Sequence, residues 1–169
     1  MRYFNFLVTI LTTASTASSA TLDAPKRKSG LWEIKMSNAS AKATTMQQCV
    51  DQSTDDMMKN NMAGMEKPSC SKNEMHRDGD KIVSESVCKV GASTATTRAV
   101  FNGQFDTAYK ADIKSTYEPP LHGMKESTTV LDAKWLGACK PGQKAGEISM
   151  PGMPNINMKD MMKNLPKQP

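Results

Sequence analysis

Four cysteines are the residues of this chain whose chemistry is easiest to predict. Small exported domains commonly oxidise such residues to disulfides, because the compartments they enter are oxidising. The chain has no Cys-x-x-Cys spacing of the thioredoxin or zinc-knuckle kind, and 2 histidines as further ligands. We therefore predict two disulfides and no metal site built on cysteine. The cysteines are Cys49, Cys70, Cys88 and Cys139.

Four cysteines allow three pairings, and the sequence leaves all three open. The pairing we favour joins Cys49 to Cys70 and Cys88 to Cys139. The first bridge would close a loop around the Met-rich residues 55–65, and the second would tie a middle strand to the end of the last one. In the chain-entropy model each closure stabilises the fold by about 3–4 kcal/mol.

The cysteines follow what reads as an export signal over residues 1–20. Arg2 supplies the positive start, residues 4–11 are mostly apolar, and Ser18-Ser19-Ala20 has the small side chains of a cleavage site. The apolar run is shorter than the roughly 20 residues that cross a bilayer. We expect the signal to be removed, leaving a periplasmic protein, or a secreted one, with no membrane span.

Composition narrows the class of the remaining chain. The whole chain has 22 basic and 17 acidic residues and a net charge of +5, and removal of Arg2 with the signal leaves 21 minus 17, or +4; Lys26-Arg27-Lys28 is the dense basic run. No series of aromatic residues accompanies that run, so we expect a solvated basic leader at residues 21–28 and no nucleic-acid partner. The length fits one domain, which we place at residues 29–140, with a Pro/Met-rich tail at 141–169.

Hydrophobic alternation predicts a mainly β fold. Single strands are expected over residues 31–36, 43–50 and 126–135, and hairpins over 73–90 and 93–117. The hairpin turns are predicted at Asp78-Gly79 and Asn102-Gly103, whose residues tolerate positive φ. About seven short strands with no βαβ spacing predict an antiparallel meander, forming a curved sheet or a small up-and-down barrel.

One strand face is the candidate ligand surface. Alternate residues of two predicted strands place aromatic side chains at the ends of this face and small ones in its middle. Such a face could line a pocket for an apolar ligand, and it could equally be an ordinary core. The residues are Tyr109, Ile113, Tyr117, Leu131 and Trp135.

Methionine is unusually frequent, at 14 residues. The pentapeptide Asp-Met-Met-Lys-Asn occurs at residues 56–60 and again at 160–164, and the methionine spacing predicts two short amphipathic helices. Thioethers are ligands for Cu(I) and Ag(I), but methionine stripes also serve as flexible packing faces. The residues that would bind a soft metal are Met57, Met58, Met62, Met65, Met161 and Met162, with Met150, Met153 and Met158 nearby.

Several of these motifs together resemble a known family. They are Gly30-Leu31-Trp32-Glu33-Ile34, Met46-Gln47-Gln48-Cys49, the Met-rich loop closed by Cys70, Gly79 with Cys88, and Leu136-Gly137-Ala138-Cys139. In this order they resemble the family called domain of unknown function 3617. The resemblance implies a small exported, disulfide-bearing β domain of Gram-negative bacteria, and it supplies no activity and no catalytic residues.

These observations favour a protein that acts by binding. No Gly-x-Ser-x-Gly, His-Glu-x-x-His or phosphate-binding glycine loop is present, so we expect neither an enzyme nor a cofactor. The expected partner is an apolar small molecule, a lipid or another envelope protein. Soft-metal binding through the methionines is the first alternative, and a purely structural role is the second.

Overall fold

The protein is an antiparallel β-sheet in a computed structural model that describes residues 22, 24–38, 41–55 and 69–157. The strands are β1 Gly30–Asn38, β2 Ala41–Val50, β3 Cys70–Asp78, β4 Lys81–Val90, β5 Ser93–Gln104, β6 Ala108–Leu121, β7 Met124–Gly137, β8 Glu147–Ser149 and β9 Ile156–Asn157. The predicted helices fall on residues 56–68 and 158–169, outside the described residues.

All strands belong to one open sheet in the order β3-β4-β5-β6-β7-β1-β2-β8-β9. Strands β3 to β7 form the predicted meander, with successive hairpin neighbours along the chain. Strand β1 then pairs with β7, so that β1 and β2 extend the sheet beyond the last strand of the meander. The antiparallel meander is confirmed, and the closed barrel is wrong because β3 and β9 lie at separate edges.

Two hairpin turns differ from the sequence prediction. Asp78 pairs with Lys81, so the first turn contains Gly79 and Asp80 and begins one residue later than expected. The second turn lies at residues 105–107, after Gly103 has paired with Tyr109 inside the ladder. Gly103 has a φ of 117°, and a Cβ there would meet the Ala108 carbonyl oxygen at 2.5 Å. Gly103 is therefore required because the two strands approach each other closely. The Asn-Gly dipeptide alone does not distinguish this use of glycine from its use in a turn.

The alternation of side chains divides β5, β6 and β7 into two faces. We call the face that contains Trp32 and the main apolar cluster the core face, and the other the opposite face. The core-face residues of these strands include Ala95, Thr97, Ala99, Phe101, Gly103, Tyr109, Ala111, Ile113, Ser115, Tyr117, Lys125, Ser127, Thr129, Leu131, Ala133 and Trp135.

The core is centred where β1, β2 and β7 meet. Trp32 is fully buried, and it clusters with Ile34, Val50 and Ala133. Met36 and Met46 pack against this cluster from the same strands. Because Trp32 pairs with both Gln48 and Trp135, the first strand is the centre of the packed region.

The disulfides join other partners than those predicted. Cys49 bonds to Cys139, and Cys70 bonds to Cys88. Strand β2 lies six strand spacings from β3 in the sheet, about 29 Å along its surface at the usual strand separation. A disulfide needs its Cα atoms within about 7 Å. The sheet order therefore separates Cys49 from Cys70, and it places Cys70 directly opposite Cys88.

Segments on both sides of the predicted domain join the sheet. Arg27, expected in a solvated leader, is 8% exposed. Strand β8, in the predicted tail, pairs with β2, and β9 pairs with β8. Within the part of the chain that is described, no helix has the length and apolar character needed to cross a membrane.

Candidate functional site

Among the residues of β5, β6 and β7 that alternate onto the core face, the charged one is Lys125, which is exposed near the start of β7. The other charged residues of these three strands lie on the opposite face, where several form cross-strand ion pairs. Lys110 contacts Asp132 at 3.1 Å, and Lys114 contacts Glu126 at 3.6 Å. The two faces therefore differ strongly in charge while sharing the same backbone.

The five residues of the predicted ligand surface all belong to the core face. Tyr109, Ile113 and Tyr117 alternate along β6, and Leu131 and Trp135 lie on the adjacent β7. Each is partly exposed, with Leu131 paired to the fully buried Ala111 and Tyr109 paired to Ala133. The register brings Tyr109, Ile113 and Leu131 close together and places Trp135 and Tyr117 towards opposite ends.

Aromatic rings crowd the end of the core face nearest the β5–β6 turn. Phe105 stacks on Tyr109 with ring centroids 4.5 Å apart, and Trp32 lies 5.8 Å from Tyr109. Phe101 contacts both Phe105 and Tyr109 at 6.1 Å and 6.4 Å. Stacked and tilted rings at these separations attract one another beyond their burial, so they hold this end of the face rigidly.

The residues before β1 lie across this aromatic end. The Lys28 backbone N–H donates to the Phe105 carbonyl, and the indole N–H groups of Trp32 and Trp135 donate to the carbonyls of Lys28 and Ser29. The Lys28 ammonium lies 3.8 Å from the centre of the Trp135 ring, within the range of a cation–π contact. We call residues 24–29 the crossing segment.

Arg27 anchors the crossing segment through a buried ion pair. Its Nε donates to Asp55 Oδ1 at 2.7 Å, its backbone N–H donates to Asp55 Oδ2, and its Nη1 donates to Gln48 Oε1 at 3.3 Å. The side chains of Arg27 and Asp55 are 9% and 3% exposed. The guanidinium also lies 5.8 Å from the Trp32 ring. Arg27 is therefore neutralised and held in the core.

Tyr109 lies between this ion pair and the apolar face. Burial raises the pKa of its phenol, the charge of Asp55 raises it further, and the charge and hydrogen bond of Arg27 oppose both effects. The hydroxyl is therefore neutral at physiological pH. Sequence reasoning placed Tyr109 on the face but missed Arg27 and Asp55, because 28 residues separate that pair and no local spacing links them.

A tight turn after β2 positions Asp55. The Asp51 carboxylate accepts hydrogen bonds from the backbone N–H and the hydroxyl of Ser53, at 3.0 and 2.8 Å, and from the backbone N–H and the hydroxyl of Thr54, at 2.7 and 2.8 Å. These bonds lower the pKa of Asp51 to about 2. The Asp55 backbone N–H then donates to the Asp51 carbonyl at 3.0 Å. This bond fixes the backbone position from which the Asp55 side chain extends.

A row of hydroxyl groups crosses the core face away from the aromatic end. Ser86, Thr97, Ser115 and Ser127 are successive register partners on β4 to β7, and we call them the hydroxyl row. Thr97 Oγ1 and Ser115 Oγ share a hydrogen bond of 2.9 Å, and the Tyr117 hydroxyl contacts Ser127 Oγ at 3.3 Å. Ser115 is 9% exposed. The core face therefore changes along β6 from aromatic to hydroxyl-bearing.

A depression of about 360 Å³ lies mainly on the opposite face of the same strands. Arg98, Lys114 and Asp112 line it with threonines, and Ile113 is the one predicted ligand residue among its lining. Arg98 is paired with Glu85 at 3.3 Å, as Lys114 is with Glu126. Its exposed cations are thus already partly neutralised.

The predicted soft-metal ligands Met57, Met58, Met62, Met65, Met161 and Met162, with Met158, lie outside the described residues. Met150 and Met153 are described, and Met153 is 58% exposed. Among the described residues, no group of three or more His, Cys, Asp or Glu side chains could hold a metal ion. Methionine–metal binding therefore stays a prediction from sequence.

Strands β1 to β7 lie within the part of the chain that matches a known protein family. A family model described as a protein of unknown function, DUF3617, matches residues 27–139, the greater part of the chain. The chain belongs to the DUF3617 family. The DUF3617 match begins at the buried Arg27 and ends at Cys139, the partner of Cys49. Comparisons with curated proteins and with solved structures found no match.

The disulfides also bear on where this DUF3617 protein resides. Both bonds join residues within the matched region, and the structure contains no free cysteine among its described residues. Such bonds are consistent with an extracytoplasmic protein, since cytoplasmic thiols are kept reduced.

Proposed function

We propose that this DUF3617 protein is a periplasmic binding protein whose core face on β5, β6 and β7 holds an apolar small molecule or a lipid chain. It acts by binding and catalyses no reaction. The observation that carries this proposal is the part of the core face around Tyr109, Ile113 and Leu131, where no charged residue alternates inwards and these three side chains remain partly exposed.

The shape of the face supports the proposal. Ala99, Ala111 and Ser115 lie among the larger side chains of Phe101, Tyr109 and Ile113. The small residues are already covered, at 6%, 0% and 9% exposed, so the surface offered to a ligand is that of the larger, partly exposed side chains. Burying apolar surface contributes about 25 cal/mol per Å², so covering these larger side chains with an apolar chain favours binding.

The ion pair at one end supports the same reading. Arg27 and Asp55 neutralise each other and hold the crossing segment against the aromatic end. Because Trp32, Tyr109 and Phe105 already pack together there, the face requires little ordering when a ligand binds. A preorganised surface loses less entropy on binding, so more of the contact energy appears as affinity.

A direct test uses N-phenyl-1-naphthylamine, an uncharged fluorophore that brightens in apolar surroundings. We expect the purified, oxidised protein to bind it, and Leu131→Gln to weaken binding about fivefold or more through loss of apolar contact. Val130→Gln is the matched control, because the neighbouring Val130 is a partly exposed aliphatic residue on the opposite face. We expect it to leave the affinity unchanged.

The proposal fails if the wild-type protein does not brighten the fluorophore, or if Val130→Gln and Leu131→Gln weaken it equally. Thermal unfolding of both variants shows whether each remains folded at the assay temperature. Native mass spectrometry of protein taken from the periplasm supplies a second reading. We expect a co-purified organic mass that Leu131→Gln removes, on a chain that lacks residues 1–20 and is four hydrogens lighter than its reduced form.

A further inference from the structure

We infer that the ligand of the core face is a single-chain amphiphile with one anionic head group, such as a fatty-acid carboxylate. Its head group contacts Lys125, and its chain lies towards Leu131. This inference rests on the proposed function and names the ligand class for the same face. The juxtaposition that carries it is one lysine beside two hydroxyl groups, on a strand whose core face becomes apolar from Leu131 onwards.

Lys125 is the cation placed to receive the head group. It alternates onto the core face of β7 together with Ser127, and it is exposed. Within the described part of the chain it has no ion-pair partner, whereas Lys110 on the opposite face pairs with Asp132. An anion bound at Lys125 therefore gains a counter-charge without having to displace another carboxylate.

Two hydroxyl groups beside Lys125 supply a hydrogen-bond donor. The Tyr117 hydroxyl and Ser127 Oγ are 3.3 Å apart, and in that contact one hydroxyl donates while the other accepts. The proton of the accepting hydroxyl is left for another acceptor. A carboxylate accepts such bonds at both oxygens, and a hydrogen bond to a charged acceptor is roughly twice as strong as one between neutral groups. The head-group site therefore combines a cation with a hydroxyl donor.

The strand residues on the core side of the sheet carry charges of one sign. Among the described strands, Arg77 on β3 and Lys125 on β7 alternate onto this side, and no Asp or Glu does so. The Lys28 ammonium adds a further cation at the aromatic end. Asp55 reaches the same side from the turn after β2, but Arg27 already neutralises it. The face therefore attracts an anionic ligand and repels a cationic one.

The distance along β7 fits one hydrocarbon chain. Ser127 and Leu131 are four residues apart, which is about 13 Å along an extended strand. The hydrocarbon of one bilayer leaflet, which is half of the membrane core, is about 15 Å thick. A chain whose head group lies at Ser127 therefore ends just past Leu131, near Tyr109 on the neighbouring strand. Beyond that point the aromatic rings and the crossing segment occupy the face.

The test uses two probes that share one hydrocarbon chain, laurate and 1-monolauroylglycerol. Isothermal titration calorimetry measures each affinity at pH 8, below the aggregation concentration of the probe. We expect Lys125→Gln to weaken laurate binding about fivefold, as for the loss of one exposed ion pair, and to leave 1-monolauroylglycerol binding unchanged.

Lys134→Gln is the matched control. Lys134 is an exposed lysine on the opposite face of the same strand, and it too has no ion-pair partner among the described residues. The control removes the same charge and should leave both affinities unchanged.

Three results would overturn this inference while leaving the proposed function, which is tested with N-phenyl-1-naphthylamine, intact. The wild-type protein fails to bind laurate, Lys125→Gln leaves the laurate affinity unchanged or weakens both probes alike, or the two lysine variants weaken laurate equally. If the wild-type protein binds neither probe nor the fluorophore, both proposals are wrong.

Discussion

Arg27 and Asp55 form a buried ion pair, with Nε and Oδ1 2.7 Å apart, between two segments that flank the first hairpin of the sheet. Arg27 precedes β1 and Asp55 follows β2. The pair thus closes the hairpin from both ends, and it holds the crossing segment over the rings of Trp32 and Tyr109. This contact links the start of the DUF3617 match to the candidate binding face.

Breaking the ion pair should destabilise the fold strongly. We expect Asp55→Asn or Arg27→Met to lower the free energy of unfolding by about 3–5 kcal/mol, because each leaves a buried charge without its partner. Urea unfolding measures this. Lys110→Met is the control, since Lys110 and Asp132 form a pair whose side chains are 71% and 47% exposed. Its expected cost is below about 1 kcal/mol. Equal effects would show that Arg27 and Asp55 are not buried together.

Gly30 should tolerate no side chain. It has a φ of 137°, and a Cβ there would lie 2.2 Å from the Gly137 carbonyl oxygen and 2.4 Å from Trp135 Nε1. We expect Gly30→Ala to cost about 2–5 kcal/mol, from backbone strain together with overpacking. Gly91→Ala, with a φ of 59° and open space around its Cβ, should cost about 1–2 kcal/mol. Thermal unfolding of both variants tests this, and an equal loss would argue against the close approach.

The two disulfides should contribute unequally to stability. They close segments with sequence separations of 90 and 18 residues. The chain-entropy relation gives about 4–5 kcal/mol for Cys49–Cys139 and about 3 kcal/mol for Cys70–Cys88. We therefore expect Cys49→Ala/Cys139→Ala to unfold at lower urea than Cys70→Ala/Cys88→Ala. Mass spectrometry of an unreduced digest tests the pairing itself, and a peptide joining Cys49 to Cys70 would contradict it.

Asp51 should make the fold sensitive to acid. Its pKa is lowered to about 2 by hydrogen bonds from Ser53 and Thr54, so its contribution to stability is complete above its ordinary pKa of about 3.9 and is lost as the pH falls towards 2. After allowance for its exposure we expect a loss of no more than about 1 kcal/mol. Carboxyl NMR titration measures the pKa directly. Ser53→Ala should raise the midpoint, and a wild-type midpoint near 3.9 would contradict the turn geometry.

Parts of the fold can be predicted from local pattern because a strand repeats every two residues. The alternation over residues 109–117 placed Tyr109, Ile113 and Tyr117 on one face, and the adjacent strand does the same for Leu131 and Trp135. The turn predicted at Asn102-Gly103 was wrong, because glycine is used both where a turn needs positive φ and where two strands approach closely. Local sequence does not distinguish these two uses.

By itself, the sequence determined the mainly antiparallel class, most of the strands and the membership of the predicted ligand face. These depend on neighbours along the chain, whose spacing sets hydrophobic periodicity. The tertiary structure alone decided that β1 pairs with β7, that Cys49 meets Cys139, and that Arg27 is buried against Asp55. Each is a contact between distant residues, created by the order of strands in the sheet. Hydrophobic alternation does not indicate that order, because every strand with one buried face shows the same two-residue period of apolar side chains.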